Sequence, residues 1–226
     1  MDLTIAKLRD EITKMATLVE GMFRECLKDE SEFVAIVELE NQINKFHTNI
    51  DDMSFKYVAL KRPLARDLRL AFAIIKINSD LERIGDLAFN IKRAKMRLTG
   101  DTGCLVLKLI SDEAMLMLKN AIDSFVQGDI KLASDVIQYD QSINELHKRI
   151  IQTTTSPELI TAELNFDQAY HMILISSKLE RIGDHCTNIA EDVIFLESGK
   201  DVRHQLRVPR CQNEQNEQNE SQNSID

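Results

Sequence analysis

Six consecutive residues, Leu81-Glu82-Arg83-Ile84-Gly85-Asp86, return unchanged ninety-eight positions later as Leu179-Glu180-Arg181-Ile182-Gly183-Asp184. Asn90-Ile91 returns at the same offset as Asn188-Ile189. A match of that length at one spacing marks a chain made of two copies of one unit. Each copy carries Glu-x-x-x-Asp-x-x-x-Asn.

Apolar spacing says what the unit is. From residue 3 to about 28, Leu8, Ile12, Met15, Leu18, Met22 and Leu27 recur at helical intervals. A second helix is expected from about Ser31 to Phe55, where Ile36, Leu39, Ile43, Phe46, Ile50 and Met53 alternate steps of three and four. Arg62-Pro63 breaks the chain and suits a first helical turn. A third helix then runs to about Leu98 on Leu70, Ile74, Ile77, Leu81, Ile84, Ala88 and Ile91. The plan repeats: a helix from Leu105 to Gln127 stopped by Gly128, then one from Ile130 to Thr153. The seam of the latter is Val136, Tyr139, Ile143, Leu146 and Ile150. Ser156-Pro157-Glu158 reads as an N-cap opening a last helix, to about Ser198. Its seam is Gln168, Met172, Ile175, Leu179, Ile182, Cys186 and Ile189.

The expected fold is therefore all-α, two tandem three-helix bundles over residues 1–100 and 105–199, with Gly100-Asp101-Thr102-Gly103 as the boundary. Residues 200–226 end in an Asn/Glu/Gln run with no apolar anchor and are expected to be a disordered low-complexity tail.

Charge and composition narrow the function. A net charge of −9 argues against nucleic acid and anionic membrane surfaces as partners. The N-terminal residues are amphipathic and of mixed charge, unlike a signal peptide, and no run approaches the roughly 20 apolar residues of a membrane span. Cys26, Cys104, Cys186 and Cys211 are scattered and read as reduced thiols of a cytoplasmic protein.

Residues four apart share a helix face, so Glu82, Asp86 and Asn90 stack as one column, and Glu180, Asp184 and Asn188 as another. Both fall away from the apolar seam. The second helix of each half adds its own column: Glu40, Asn44 and His47, matched by Asp140, Asn144 and His147. If the second and third helices are antiparallel neighbours, the two columns face one another across their groove. Stacked carboxylates repel, so a duplicated column suggests a cation between them. Oxygen donors suit Mg²⁺, Mn²⁺, Ca²⁺ or iron, and a histidine extends the range to Zn²⁺. Gly85 and Gly183 sit mid-helix beside the aspartates, which suggests that an ion or a neighbouring backbone needs room there. The competing reading is a solvated face, with Arg83 and Arg181 in surface ion pairs and the histidines hydrogen-bonded only.

The doubled Leu-Glu-Arg-Ile-Gly-Asp resembles the PhoU family, as do Arg62-Pro63-Leu64-Ala65-Arg66-Asp67-Leu68-Arg69 and the closing Ser198-Gly199-Lys200-Asp201-Val202-Arg203-His204. The resemblance covers about residues 3–204 and implies two three-helix bundles. It further implies surface Glu/Asp-x-x-x-Asp motifs that bind metal, here Glu82/Asp86 and Glu180/Asp184, with Glu40/Asn44 and Asp140/Asn144 on the second helices. Asn in place of Asp lowers the charge and favours one or two hard ions per bundle over a cluster. The Arg-Asp-Leu-Arg element lacks a clean counterpart in the second copy, so any role would belong to the first bundle alone. The implied activity is non-enzymatic: negative regulation of phosphate uptake and phosphate-starvation signalling by a homodimer. Its implied partners are the ATPase subunit of a phosphate transporter and a PhoR-type sensor histidine kinase. The alternative is a di-metal carboxylate enzyme, which needs Glu-x-x-His pairs turned into a bundle core. The duplicated positions supply none.

Overall fold

The computed structural model describes residues 3–98, 105–156 and 166–202. These form six helices and, among the described residues, no strand: α1 (Ile5–Leu27), α2 (Phe33–Lys61), α3 (Ala65–Lys95), α4 (Leu105–Gln127), α5 (Ile130–Thr155) and α6 (Phe166–Ser198). The Gly100–Gly103 linker, Pro157-Glu158 and the chain from Arg203 onward lie outside the described residues.

Local chemistry sets several ends. The Thr4 side chain accepts the Lys7 amide at the start of α1. Asp129 accepts the Lys131 and Leu132 amides at the start of α5. Gly128 (φ 68°) ends α4 and Gly199 (φ 71°) ends α6, both in the left-handed region that glycine enters freely. Pro63 precedes α3 rather than sitting in its first turn, because Leu64 is the N-cap. Helix α2 continues past the expected Phe55 to Lys61. Buried Tyr57 explains the extension, since it carries the line Ile36, Ile43, Ile50 one seven-residue step further.

Helix adjacency defines two layers. Helices α2, α3, α6 and α5 lie side by side in that order, and α1 and α4 pack behind them, α1 on α2 and α3, α4 on α5 and α6. Arg66 pairs with Glu197, Lys76 with Asp192 and Asp80 with His185, so α3 and α6 run antiparallel. The two three-helix bundles meet along this α3/α6 pair and along α1/α4. All six helices contribute to one continuous buried core, so the bundles are not separated by a solvated boundary.

The expected seams of α3 and α6 are buried at all positions except Leu70 and Gln168, which are half-buried. Those of α2 and α5 are narrower than the three-four spacing suggested. Ile36, Ile43, Ile50, Val136, Ile143 and Ile150 are buried, whereas Leu39, Phe46, Met53 and Leu146 are half-buried and Tyr139 is exposed. Each of these helices stands at an outer edge of the layer and touches only two neighbours, so only a thin stripe loses its water.

Candidate functional site

In each half the second and third helices pack together, which sets Glu40 near Asp86 in the first half and Asp140 beside Gly183 in the second. Glu40, Glu82, Asp86, Asn90, Asp140, Asn144, Glu180, Asp184 and Asn188 are half-buried, while Asn44 is exposed. Helices α2 and α3 are antiparallel: Asn78 of α3 donates to the His47 carbonyl (3.0 Å) and to Asp51 (2.9 Å), while Gly85 faces Ile43. This brings Glu40 opposite Asp86. Burial pushes the Glu40 carboxyl above its ordinary value, and the negative charge of Asp86 pushes it further, with Arg93 opposing.

Arg83 lies 3.5 Å from Glu82 and 3.8 Å from Asp86, so part of the first column's charge is offset on its own helix. Asn90 does not reach the Asp86 carboxylate; its amide donates to the Asp86 carbonyl at 2.7 Å. In the second groove, the Asn144 amide donates to Asp140 Oδ2 at 2.9 Å. The duplicated histidines part ways. His147 shares a 2.9 Å hydrogen bond with Ser176, and burial holds its pKa down. His47 lies 3.6 Å from Asp51 on its own helix.

The mid-helix glycines have a packing reason. A Cβ at Gly85 would lie 3.4 Å from two methyl carbons of Ile43, and one at Gly183 would lie 3.3 Å from Ile143 Cδ1 and 3.5 Å from Asp140 Oδ1. The room they leave is taken by an isoleucine of the facing helix. In the second groove it is also bordered by a candidate donor.

As a cation site the donor chemistry fits in a limited way. Two like-charged carboxylates oppose each other in the first groove, and beyond the larger effect of burial Asp86 adds to the raised pKa of Glu40. Among the described residues no three His, Cys, Asp or Glu side chains converge to hold a metal ion. Two carboxylates suit a hard ion such as Mg²⁺, which keeps several waters, better than Zn²⁺ or iron in a full protein cage.

A protein-family model described as the PhoU domain matches residues 12–94 and again residues 107–193. The chain belongs to the PhoU family. A "Phosphate-specific transport system accessory protein PhoU homolog" from Pseudomonas putida is 33% identical over 213 residues, covering 88% of this chain and 81% of the relative. PhoU homolog 1 from Thermotoga maritima is 30% identical, covering 88% of this chain and 90% of the relative. The crystal structure of PhoU from Pseudomonas aeruginosa superposes with a TM-score of 0.77 at 31% identity, over 86% of this chain and 97% of that one. The two matches of the PhoU domain fall on the two bundles, which accounts for the doubled motif.

Comparing the two PhoU repeats exposes what the repeat alone concealed. Asp80 Oδ1 lies 2.8 Å from His185 Nδ1 and accepts the Asn188 amide at 3.3 Å, so Asn188 serves the α3/α6 contact. The signal was a break in the repeat: Asp80 corresponds to Lys178, and His185 to Leu87. Arg66 likewise does not serve the first bundle alone, because it crosses to Glu197 of α6 at 2.8 Å. Cys26 and Cys186 are buried free thiols; burial pushes Cys26 up to about 12 and Cys186 upward too, which makes both packing residues.

Proposed function

We propose that this PhoU-family protein is a non-enzymatic negative regulator of phosphate uptake and of phosphate-starvation signalling. It links the ATPase subunit of a phosphate transporter to a sensor histidine kinase in the cytoplasm. The observation that carries the reading is the double match of the PhoU domain across both bundles, together with relatives named as accessory proteins of the phosphate-specific transport system. No described helix is long and apolar enough to cross a membrane. Phe72 and Tyr170 occupy equivalent positions, ninety-eight residues apart, and are both about half exposed, at 51% and 53%. Large aromatics left in water at matching places suit protein contact and support a homodimer or a docked partner.

We propose further that each α2/α3-type groove takes one hard divalent cation, Mg²⁺ or Mn²⁺. Its ligands would be Glu40 and Asp86 in the first half and Asp140 and Asp184 in the second, with Glu82 and Glu180 flanking. The ion would offset carboxylate repulsion and stiffen the groove.

Deleting the gene should raise the output of a phosphate-starvation reporter in phosphate-replete cells, and purified protein should retain the transporter ATPase in a pull-down. Normal reporter repression in the deletion strain would refute the regulatory reading. Elemental analysis before and after chelation tests the cation separately.

A further inference from the structure

The seam between the two bundles is built differently at its two ends. From one end to the middle of α3, polar contacts from four residues of the first bundle cross it. Arg9 of α1 donates to the Phe125 and Val126 carbonyls at 3.2 and 3.0 Å, at the C-terminus of α4. Arg66 pairs with Glu197 at 2.8 Å, Lys76 with Asp192 at 2.6 Å, and Asp80 meets His185 at 2.8 Å. The duplication supplies the other end for comparison. The positions equivalent to Lys76 and Asp192 are Leu174 and Ala94, and those equivalent to Asp80 and His185 are Lys178 and Leu87. Ala94 and Leu87 are buried. Neither pair can form an ion pair, so the repeat has diverged where the two copies touch.

The ionic end also carries an opening in its packing. A cavity of about 230 Å³ opens among Arg9, Arg66, Asp67, Leu70, Leu196 and Glu197. Its two arginines are balanced by Asp67 and Glu197, and Arg9 is already turned to the α4 carbonyls, so it offers an anion little. It is loose packing at a joint. The side chains of Asp192 and Glu197 are 8% and 17% exposed, whereas those of their cationic partners Lys76 and Arg66 are 44% and 68% exposed. The cations can therefore swing into water without the helices moving. Glu197 also lies against Gly128 at the end of α4, on its own bundle, so the carboxylates stay with α6 while their cationic partners are carried by α3.

We propose that these contacts form a latch: the bundles separate at the ionic end and pivot about the apolar end, while each bundle stays folded. The pivot changes the angle between the two grooves. The Arg66 of the first copy's Arg-Asp-Leu-Arg element is one of the latch residues, which gives that unduplicated element its use.

The test is hydrogen exchange of the full chain carrying Arg66→Met and Lys76→Met, which keep most of the aliphatic packing and remove the charge. Exchange in peptides from residues 66–80 and 185–198 should quicken by about tenfold, while peptides from 87–95 and 170–178 stay within about twofold. Equal quickening at both ends, or none at either, overturns the latch. If the double variant does not fold, the wild-type chain is compared at low salt and at about 1 M NaCl, which screens ion pairs and leaves apolar contacts intact. Faster exchange confined to the ionic end supports the latch, and a uniform or absent change overturns it.

Discussion

Glu40 is the residue at which the cation reading is most exposed to test. Its folded pKa is raised, first by burial and then by Asp86, so the fold prefers it protonated. The resulting penalty is absent well below the ordinary value of 4.5 and complete once the pH exceeds the folded value, so stability from this group falls as pH rises through that window. At pH 7 without metal, Glu40→Gln should therefore raise stability by about 0.5 kcal/mol, a like-charge pair having been removed. The same variant should lose most of the thermal shift that Mg²⁺ or Mn²⁺ gives the wild type. A Glu40→Gln protein that still responds fully to the cation would remove Glu40 from the site. His147 gives the opposite slope. Burial lowers its folded pKa below 6.5, so its contribution is complete above that value and is lost as pH falls through the folded one. Melting temperature should fall less between pH 7 and pH 5 in His147→Gln than in the wild type; identical slopes would show that His147 takes up its proton equally in the folded and unfolded states.

Helix by helix, the pattern of four-residue spacings already carried the carboxylate columns, which depend only on helical geometry. The antiparallel pairing of α2 and α3 is an expectation conditional on the short Arg62-Pro63 break, and the contacts bear it out. What the spacing could not carry was which apolar seam positions lose all their water. That depends on how many neighbours a helix has, and α2 and α5 have two where α3 has three. Tyr139 reads as seam and stands exposed for this reason. The glycines show the same limit, since nothing local distinguishes room for an ion from room for Ile43. At Gly85 the nearest neighbours of an added Cβ are side-chain methyl carbons at 3.4 Å, which can shift by a few tenths of an ångström. Alanine also gains about 1 kcal/mol of helix propensity over glycine. Gly85→Ala should therefore stabilise the protein by about 0.5 kcal/mol, while Gly85→Val should destabilise it by about 2 kcal/mol by forcing α2 from α3. Denaturant melts of the pair decide it: an alanine variant as damaged as the valine one would mean that the contact is rigid.

At the scale of the molecule, the repeat predicted two bundles, and the α3/α6 and α1/α4 contacts join them into one core. Their joining was hidden from the sequence because, Asn188 apart, the polar side chains that cross α3/α6 stand where the copies differ. Asp80 is the sharpest instance. In the whole chain it meets His185 and Asn188 across the seam. A first half produced alone, residues 1–98, would leave Asp80 without both. If two such halves paired in imitation of the whole, each Asp80 would face Leu87, the residue equivalent to His185, and a half-buried carboxylate would lie against an apolar side chain. The isolated half should therefore be a poor self-partner and lose stability, with the α3 face that normally meets α6 open to water. Its midpoint in urea should lie well below that of the full chain, with a lower slope than half the chain's own would give if the seam were incidental. Mixing it with the isolated second half should restore much of the loss by returning His185 to Asp80. A first half that melts as sharply and as late as the intact protein would show that the bundles are independent domains and that the seam adds nothing to either.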